Sequence, residues 1–302
     1  MTGTSSEVAE REVPAVPSAV PGAPVAGGAS GPPAPRGRPA PAGGDLVRVL
    51  VPAVLGLVVV GLWYLVSLVL LEPRRQFILP PPHEVVLEAF LDGDSLAELF
   101  TALGTTARVA LTGLVLAAVL GVLLAMLMSQ SRWVEAAVYP YAVALQSIPI
   151  LALVPLIAFA LGYGFGSRLV VVVLICLFPI ITNTLFGLHS ASEEMHDLFS
   201  LHGASRWVRL RKLQLPAALP ATFAGLRISA GMAVVGSIVA DFFFRQGAPG
   251  IGLQIDIYRN NLDGEMLYGA ILLASLFGLV VFWVFGAIAH LATGAWYRPP
   301  RR

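Results

Sequence analysis

Beyond the proline-rich first 45 residues, the long apolar stretches that carry no aspartate, glutamate, lysine or arginine include residues 49–71, 109–131, 136–167, 169–192, 228–240 and 266–297. About 18–20 apolar residues in helical form cross the hydrocarbon core of a bilayer, and all of these runs but 228–240 reach that length. A helix half-covered by water would show a polar face every three to four residues, and these runs show none. The pattern predicts an all-α polytopic membrane protein with about six transmembrane helices. They are placed at Leu46–Leu71, Val109–Met128, Ala136–Leu161, Leu169–Leu188, Phe223–Phe243 and Leu267–Leu291.

Between the runs, local chemistry sets the turns. Three consecutive prolines, Pro80–Pro82, forbid helix through that point. An amphipathic surface helix follows from His83 to about Phe90, and Asp92-Gly93-Asp94 ends it. A further helix from about Ser95 leads into the second span, whose Gly113, Ala117, Ala118, Gly121 and Ala125 permit close helix packing. The third span carries Pro140, Pro149 and Pro155, so it is expected to be broken or kinked, its freed carbonyls satisfied by neighbours. Gly162 to Ser167 reads as a tight turn, and Arg245 to Glu265 as a polar connection.

Composition supports the membrane reading: the chain is 57% hydrophobic and 12% charged, against about 25% charged in soluble domains. Residues 1–45 hold nine of the 23 prolines and read as a disordered tail that cannot bury enough apolar area to offset ordering. It does not read as a signal peptide, because the apolar run starts late. The membrane-spanning body is then 46–297, with a basic tail at 298–302. An inside N-terminus and C-terminus places 13 of the 19 basic residues on the cytoplasmic side, which the positive-inside rule favours. The cell membrane is the expected location.

Several chemistries are excluded. The lone lysine, Lys212, follows Arg211 and not glycine, so no GxxxxGK[ST] phosphate loop is present; any ATP hydrolysis must come from another chain. The histidines His83, His189, His196, His202 and His290 offer no pair at the spacing of four that puts two ligands on one helix face. Neither a metal nor another cofactor is expected, and no enzyme active site. The Gly162-Tyr163-Gly164 pair lies between apolar runs with no strand before it, which is no nucleotide signature. Basic residues sit at run edges and form no concentrated stripe, so no nucleic acid partner is expected. Cys176, the single cysteine, reads as buried packing. Polar residues inside spans mark a pathway or a gate; the candidates are Gln146, Ser147, Pro149, Asn183, Thr184 and Asp241. Asp241, close to a span end, admits two readings, pathway contact or interfacial anchor.

The one sizeable polar break between spans runs from Ser190 to Ala221. Ser192, Glu193 and Glu194 place a cap and acids at a helix start; Gly203 stops that helix near His202. Ser205 can cap a second, amphipathic helix through Trp207, Leu210 and Leu213 that ends before Pro216. Two short helices at an angle under the membrane form a docking surface, or else rest on lipid headgroups.

At these residues the chain resembles the permease subunits of bacterial ABC importers. Their cytoplasmic motif reads E-A-A, three residues, glycine, nine residues, I-x-L-P. Here Asp197-Leu198-Phe199 takes the first places, Gly203 the glycine and Leu213-Gln214-Leu215-Pro216 the end; aspartate replaces glutamate, and Leu-Phe the two alanines. Leu79-Pro80-Pro81-Pro82-His83-Glu84-Val85, Ser147-Ile148-Pro149, Ser167-Arg168, Phe178-Pro179-Ile180 with Asn183-Thr184, and Gly250-Ile251-Gly252 resemble the nitrate/sulfonate/taurine-type branch. That branch often has glutamate where Asp241 stands. The resemblance implies the type I importer transmembrane fold, with a second permease copy as partner in a homodimer. It further implies two cytoplasmic ATP-binding subunits and an extracytoplasmic solute-binding protein. The coupling loop so implied comprises Glu194, Asp197, Leu198, Phe199, Gly203, Ala204, Leu213, Leu215 and Pro216. The solute it implies is a small anion such as nitrate, a sulfonate or taurine, or a small vitamin precursor. A transporter driven by an ion gradient and a non-transporting membrane adaptor are the alternatives.

Overall fold

A computed structural model describes the chain from Gly44 to Gly294, with side chains from Leu50 onward. The expectations for residues 1–43 and for the basic tail 298–302 lie outside the described residues. The chain divides into two units, Met1–Ala53 and Val54–Arg302, and the description below concerns the second.

Among the described residues all regular structure is helical. Five helices are long and apolar enough to cross a membrane, and a bent pair makes up to six. At the centre lie α3 (Gly93–Gln130), α6 (Phe165–Leu188) and α9 (Leu215–Phe243). The α6–α9 interface is the most extensive, followed by α3–α6, with α11 (Gly264–Thr293) against α9. Val109, Leu114, Val172, Ile180, Ala233 and Val281 close this core. Lipid tails are as apolar as leucine, so such helices associate through dispersion at close range. A Cβ on Gly113 would stand 2.6 Å from Val172 Cγ1, and one on Gly121 2.8 Å from Ile180 Cγ2. With Ala117 and Ala125 these residues recur every four positions, on one face, and that face meets α6 as the small-residue pattern predicts. Cys176 is buried; its thiol donates to Ser229 O (3.3 Å) while Ser229 Oγ donates to Cys176 O (2.9 Å), joining α6 to α9.

The remaining elements dress this core. The first span, α1 (Gly44–Leu65), continues through a widened turn to Leu70 and faces outward along most of its length. Its far end is fastened: Trp63 Nε1 donates to Pro80 O (3.0 Å), and Tyr64 stacks on His83 at 5.8 Å. Pro82 opens α2 (Pro82–Val86) from the first helical position, where a missing N–H costs nothing. Asp92 both ends this segment and caps α3, its carboxylate accepting from Ser95 N (2.9 Å). The helix expected from Ser95 and the second span are one continuous helix. The third span is broken, as its prolines predict, into α4 (Arg132–Ser147) and α5 (Ile150–Leu161), bent by 101°.

Two expectations are corrected. The second helix of the central stretch does not end before Pro216. A first turn, α8 (Arg206–Arg209), passes through a widened turn at Leu210–Gln214 directly into α9. Pro216 sits in the first turn of α9; the five-residue bonding just before it absorbs the N–H that proline lacks. The connection from Arg245 to Glu265 is not merely polar: it contains α10 (Ile251–Asn261), whose Ile251 and Tyr258 pack with Ala89, Leu99 and Ala270.

Candidate functional site

The central stretch folds as an elbow. In α7 (Glu193–Leu201) Ser192 holds the N-cap position, but its hydroxyl accepts no backbone N–H there. The Ser192 hydroxyl and Glu194's own amide instead hold the Glu194 carboxyl below its ordinary value. Gly203 takes φ +66°, a left-handed conformation that glycine adopts without a Cβ clash. The N–H groups of Gly203 and Ala204 return to Ser200 O and Phe199 O, both at 3.0 Å. Ser205 Oγ then accepts from Val208 N (3.4 Å), which starts α8. Arg209 ties the two arms by donating to Ser200 Oγ (2.9 Å), and Arg206 donates to Gln130 O (3.4 Å) at the end of α3.

Met195, Leu198 and Leu201 recur every three residues on α7 and stand exposed, Leu201 by 85% and the neighbouring Trp207 by 74%. An exposed apolar row on a polar elbow is a surface made to be covered. Glu194, Asp197, Leu198 and Gly203 are exposed, and Phe199 and Ala204 half-buried. Leu213 is buried and Leu215 half-buried, the latter packed against the core at the root of α9, with Pro216 exposed beside them. The structure therefore gathers the first six coupling-loop candidates on the elbow and sets the last three within the helix behind it.

Beside the α4–α5 break, α6 and α9 leave a cavity of about 640 Å³. Gln146, Pro149 and Asn183 line it, together with Thr182. Ser147 donates to Val143 O (3.1 Å) and does not border it. Thr184 is buried elsewhere on α6 with no partner for its hydroxyl.

Asp241 lies apart from this cavity and is fully buried. Its Oδ2 accepts from Thr106 Oγ1 (2.7 Å), and its Oδ1 lies 3.1 Å from Arg168 Nη1. Thr106 Oγ1 accepts in turn from Ile251 N (2.8 Å). Arg168 also donates to Gln246 O (3.1 Å) and Ala248 O (3.3 Å). A Cβ on Gly250 or Gly252 would collide with the Asp241 side chain. One carboxylate thus binds α3, α6, α9 and α10 at the end of the bundle opposite the elbow, sealed from solvent and away from the cavity at the α4–α5 break. Sequence reasoning missed Thr106 and the role of Arg168. The signal was available: Arg168 alone separates two long uncharged runs, and a charge at membrane depth needs an opposite charge.

Long apolar helices with a broken pair beside them, a half-open cavity and an exposed elbow are the features of a polytopic membrane protein. Residues 117–294 match the family described as binding-protein-dependent transport system inner membrane component, and the chain belongs to that family: it is an ABC-importer permease. It is similar to the formylaminopyrimidine transport permease protein ThiX of Halalkalibacterium halodurans, 34% identical over 236 residues, 78% of this chain and 91% of the relative. The riboflavin transport system permease protein RibX of Chloroflexus aurantiacus is 34% identical over 160 residues, 53% of this chain and 59% of the relative. The nitrate import permease protein NrtB of Leptolyngbya laminosa is 26% identical over 250 residues, 82% and 88% of the two chains.

Proposed function

We propose that this chain pairs with a second copy of itself to form the pathway of an importer. A solute delivered by an extracytoplasmic binding protein would pass between the copies, driven by two cytoplasmic ATP-binding subunits. The observation that carries this reading is the elbow at Gly203, with its exposed apolar row on the side rich in basic residues. An ATP-binding subunit covering Met195, Leu198 and Leu201 would move α8 and, through it, α9. Closure of the ATP-binding pair then biases the bundle between two states, because the covered face differs between them. Residues 46–297 form the permease domain in this reading.

Two solute classes are open at this point: small oxyanions of the nitrate, sulfonate or taurine kind, and small vitamin precursors. Relatives named for both support the breadth. The test of coupling is Gly203→Asp or Gly203→Pro. Either variant is expected to reach the membrane at normal level and to lose solute uptake while ATP hydrolysis persists. Unchanged uptake removes the coupling role. Uptake that survives ATP depletion but not an uncoupler, with no ATPase co-purifying, would instead mark a gradient-driven transporter.

A further inference from the structure

We infer that the solute pausing in the cavity at the α4–α5 break is an uncharged nitrogen heterocycle carrying both N–H donors and acceptor atoms. Gln146 and Asn183 read it; this rests on the pathway reading above. The cavity, about 640 Å³, lies within the range of about 300–1,000 Å³ usual for small-molecule sites. Its walls are apolar at Ile150, Leu174, Phe178 and Met232, which suits the apolar faces of a ring.

The polar edge is uncharged and two-signed. Asn183 Nδ2 donates to Pro179 O (2.8 Å). A carbonyl can only accept, so this bond fixes the amide with its nitrogen toward Pro179 and leaves Oδ1 as an acceptor. Thr182 likewise spends its proton on Phe178 O (2.9 Å) and keeps its lone pairs. Pro149 and Pro179, having no N–H, deprive the carbonyls of Leu145 and Ile175 of their helical donors; both residues line the cavity. Against these acceptors stands the donor end of the Gln146 amide at the rim, beside the N–H of Ile150 at the first position of α5, which has no helical acceptor. An oxyanion stripped of water would face the lone pairs with no cation among the described lining residues. A neutral ring with donors and acceptors on its edge satisfies both kinds of group. The placement of Asn183 is enforced from behind: a Cβ on Gly225 would lie 2.8 Å from both Asn183 Cβ and Pro179 O, so α9 holds the amide in place.

The test uses the complete transporter, this chain with the ATPase and binding protein that co-purify from its own membranes, in proteoliposomes. Uptake of labelled formylaminopyrimidine, riboflavin, nitrate and ethanesulfonate is measured for the wild type, Gln146→Lys and Gln146→Glu. Gln146 stands at the cavity rim; because a charge at membrane depth can itself be costly, the amount of each variant in the membrane is measured beside its uptake, and Asn183→Leu serves as a second, uncharged probe. The expected result is ATP-driven uptake of at least one heterocycle. Its KM should rise about fivefold or more in both Gln146 variants alike, and in Asn183→Leu, as a lost hydrogen bond predicts. An anionic cargo would respond to the sign of the charge, Gln146→Lys retaining uptake and Gln146→Glu losing it, and that asymmetry overturns the inference. ATP-driven uptake of nitrate or ethanesulfonate alone overturns it too, while leaving the importer reading intact. Heterocycle uptake with KM unmoved in all three variants overturns the assignment of Gln146 and Asn183.

Discussion

The two ends of α9 are built on opposite rules. At one end Asp241 is sealed from solvent and bound to Thr106 and Arg168, so four helices share one buried charge pair. At the other, the elbow holds together through a few exposed hydrogen bonds and leaves Leu201 and Trp207 bare. A buried pair contributes little net stability compared with a packed apolar alternative, yet losing one partner is costly. That makes the Asp241 end intolerant of rearrangement. The elbow, in contrast, can release one surface and accept another at little cost. If the elbow is where an ATP-binding subunit docks, as proposed above, this difference lets a push at one end move α9 about a fixed point at the other.

The largest effect should come from breaking the sealed end. Asp241→Ala leaves Arg168 buried without its counter-ion and is expected to destabilise the bundle by about 3–5 kcal/mol, read as a fall in thermal unfolding temperature in detergent. Combining Asp241→Leu with Arg168→Met should restore most of that loss; no restoration would show that the pair is not its source. Next comes the elbow's turn. Gly203→Ala forces a side chain into the left-handed region at about 1–2 kcal/mol, and it should lower uptake per ATP hydrolysed far more than it lowers the unfolding temperature. Smaller still in stability, Leu201→Asp should leave unfolding unchanged and weaken co-purification of the ATPase by about tenfold, a loss of roughly 1.4 kcal/mol.

The smallest effect sharpens the comparison by pH. The Glu194 carboxyl is held below its ordinary 4.5. A carboxyl depressed on folding stabilises above its unfolded value, and that contribution disappears as pH falls through the folded one. Wild type and Glu194→Gln should therefore differ slightly at neutral pH and converge in unfolding temperature below 4.5. A difference that persists well below that point would assign the effect to packing.

Much of this was legible in the sequence. Uncharged runs located the spans because an unbroken apolar run of about 20 residues satisfies its backbone in a bilayer as helix. Pro149 announced the break in the third span, and Gly203 announced the elbow, since each residue has a backbone preference that neighbours cannot override. What stayed hidden depended on distant partners. Asp241 could be read as anchor or pathway until Arg168 and Thr106 were brought beside it. Pro216 read as a helix end because sequence rules describe a regular helix, and a widened turn one step earlier suspends them. The buried face of α10 escaped notice because its apolar residues are diluted by Gln254, Asp256 and Arg259 in an interval that reads as loop. In the cavity, Gln146 and Asn183 were recognisable as polar residues in spans. Which of their atoms remained free depended on Pro179 O, which no spacing rule supplies.

The widened turn at Leu210–Gln214 has a rotational meaning. From Arg206 to Phe243 the chain is 38 residues of uninterrupted helix, about 57 Å at 1.5 Å per residue, so nothing slack lies between the elbow and Asp241. Each residue of such a rod also turns it by about 100°. With its far end clamped by Arg168, the extra residue accommodated in that turn sets the compass bearing at which α8 leaves the bundle. Deleting one residue there would keep the rod straight and the clamp closed while swinging the elbow to a different quarter. The transporter would be intact at both ends and facing the wrong way.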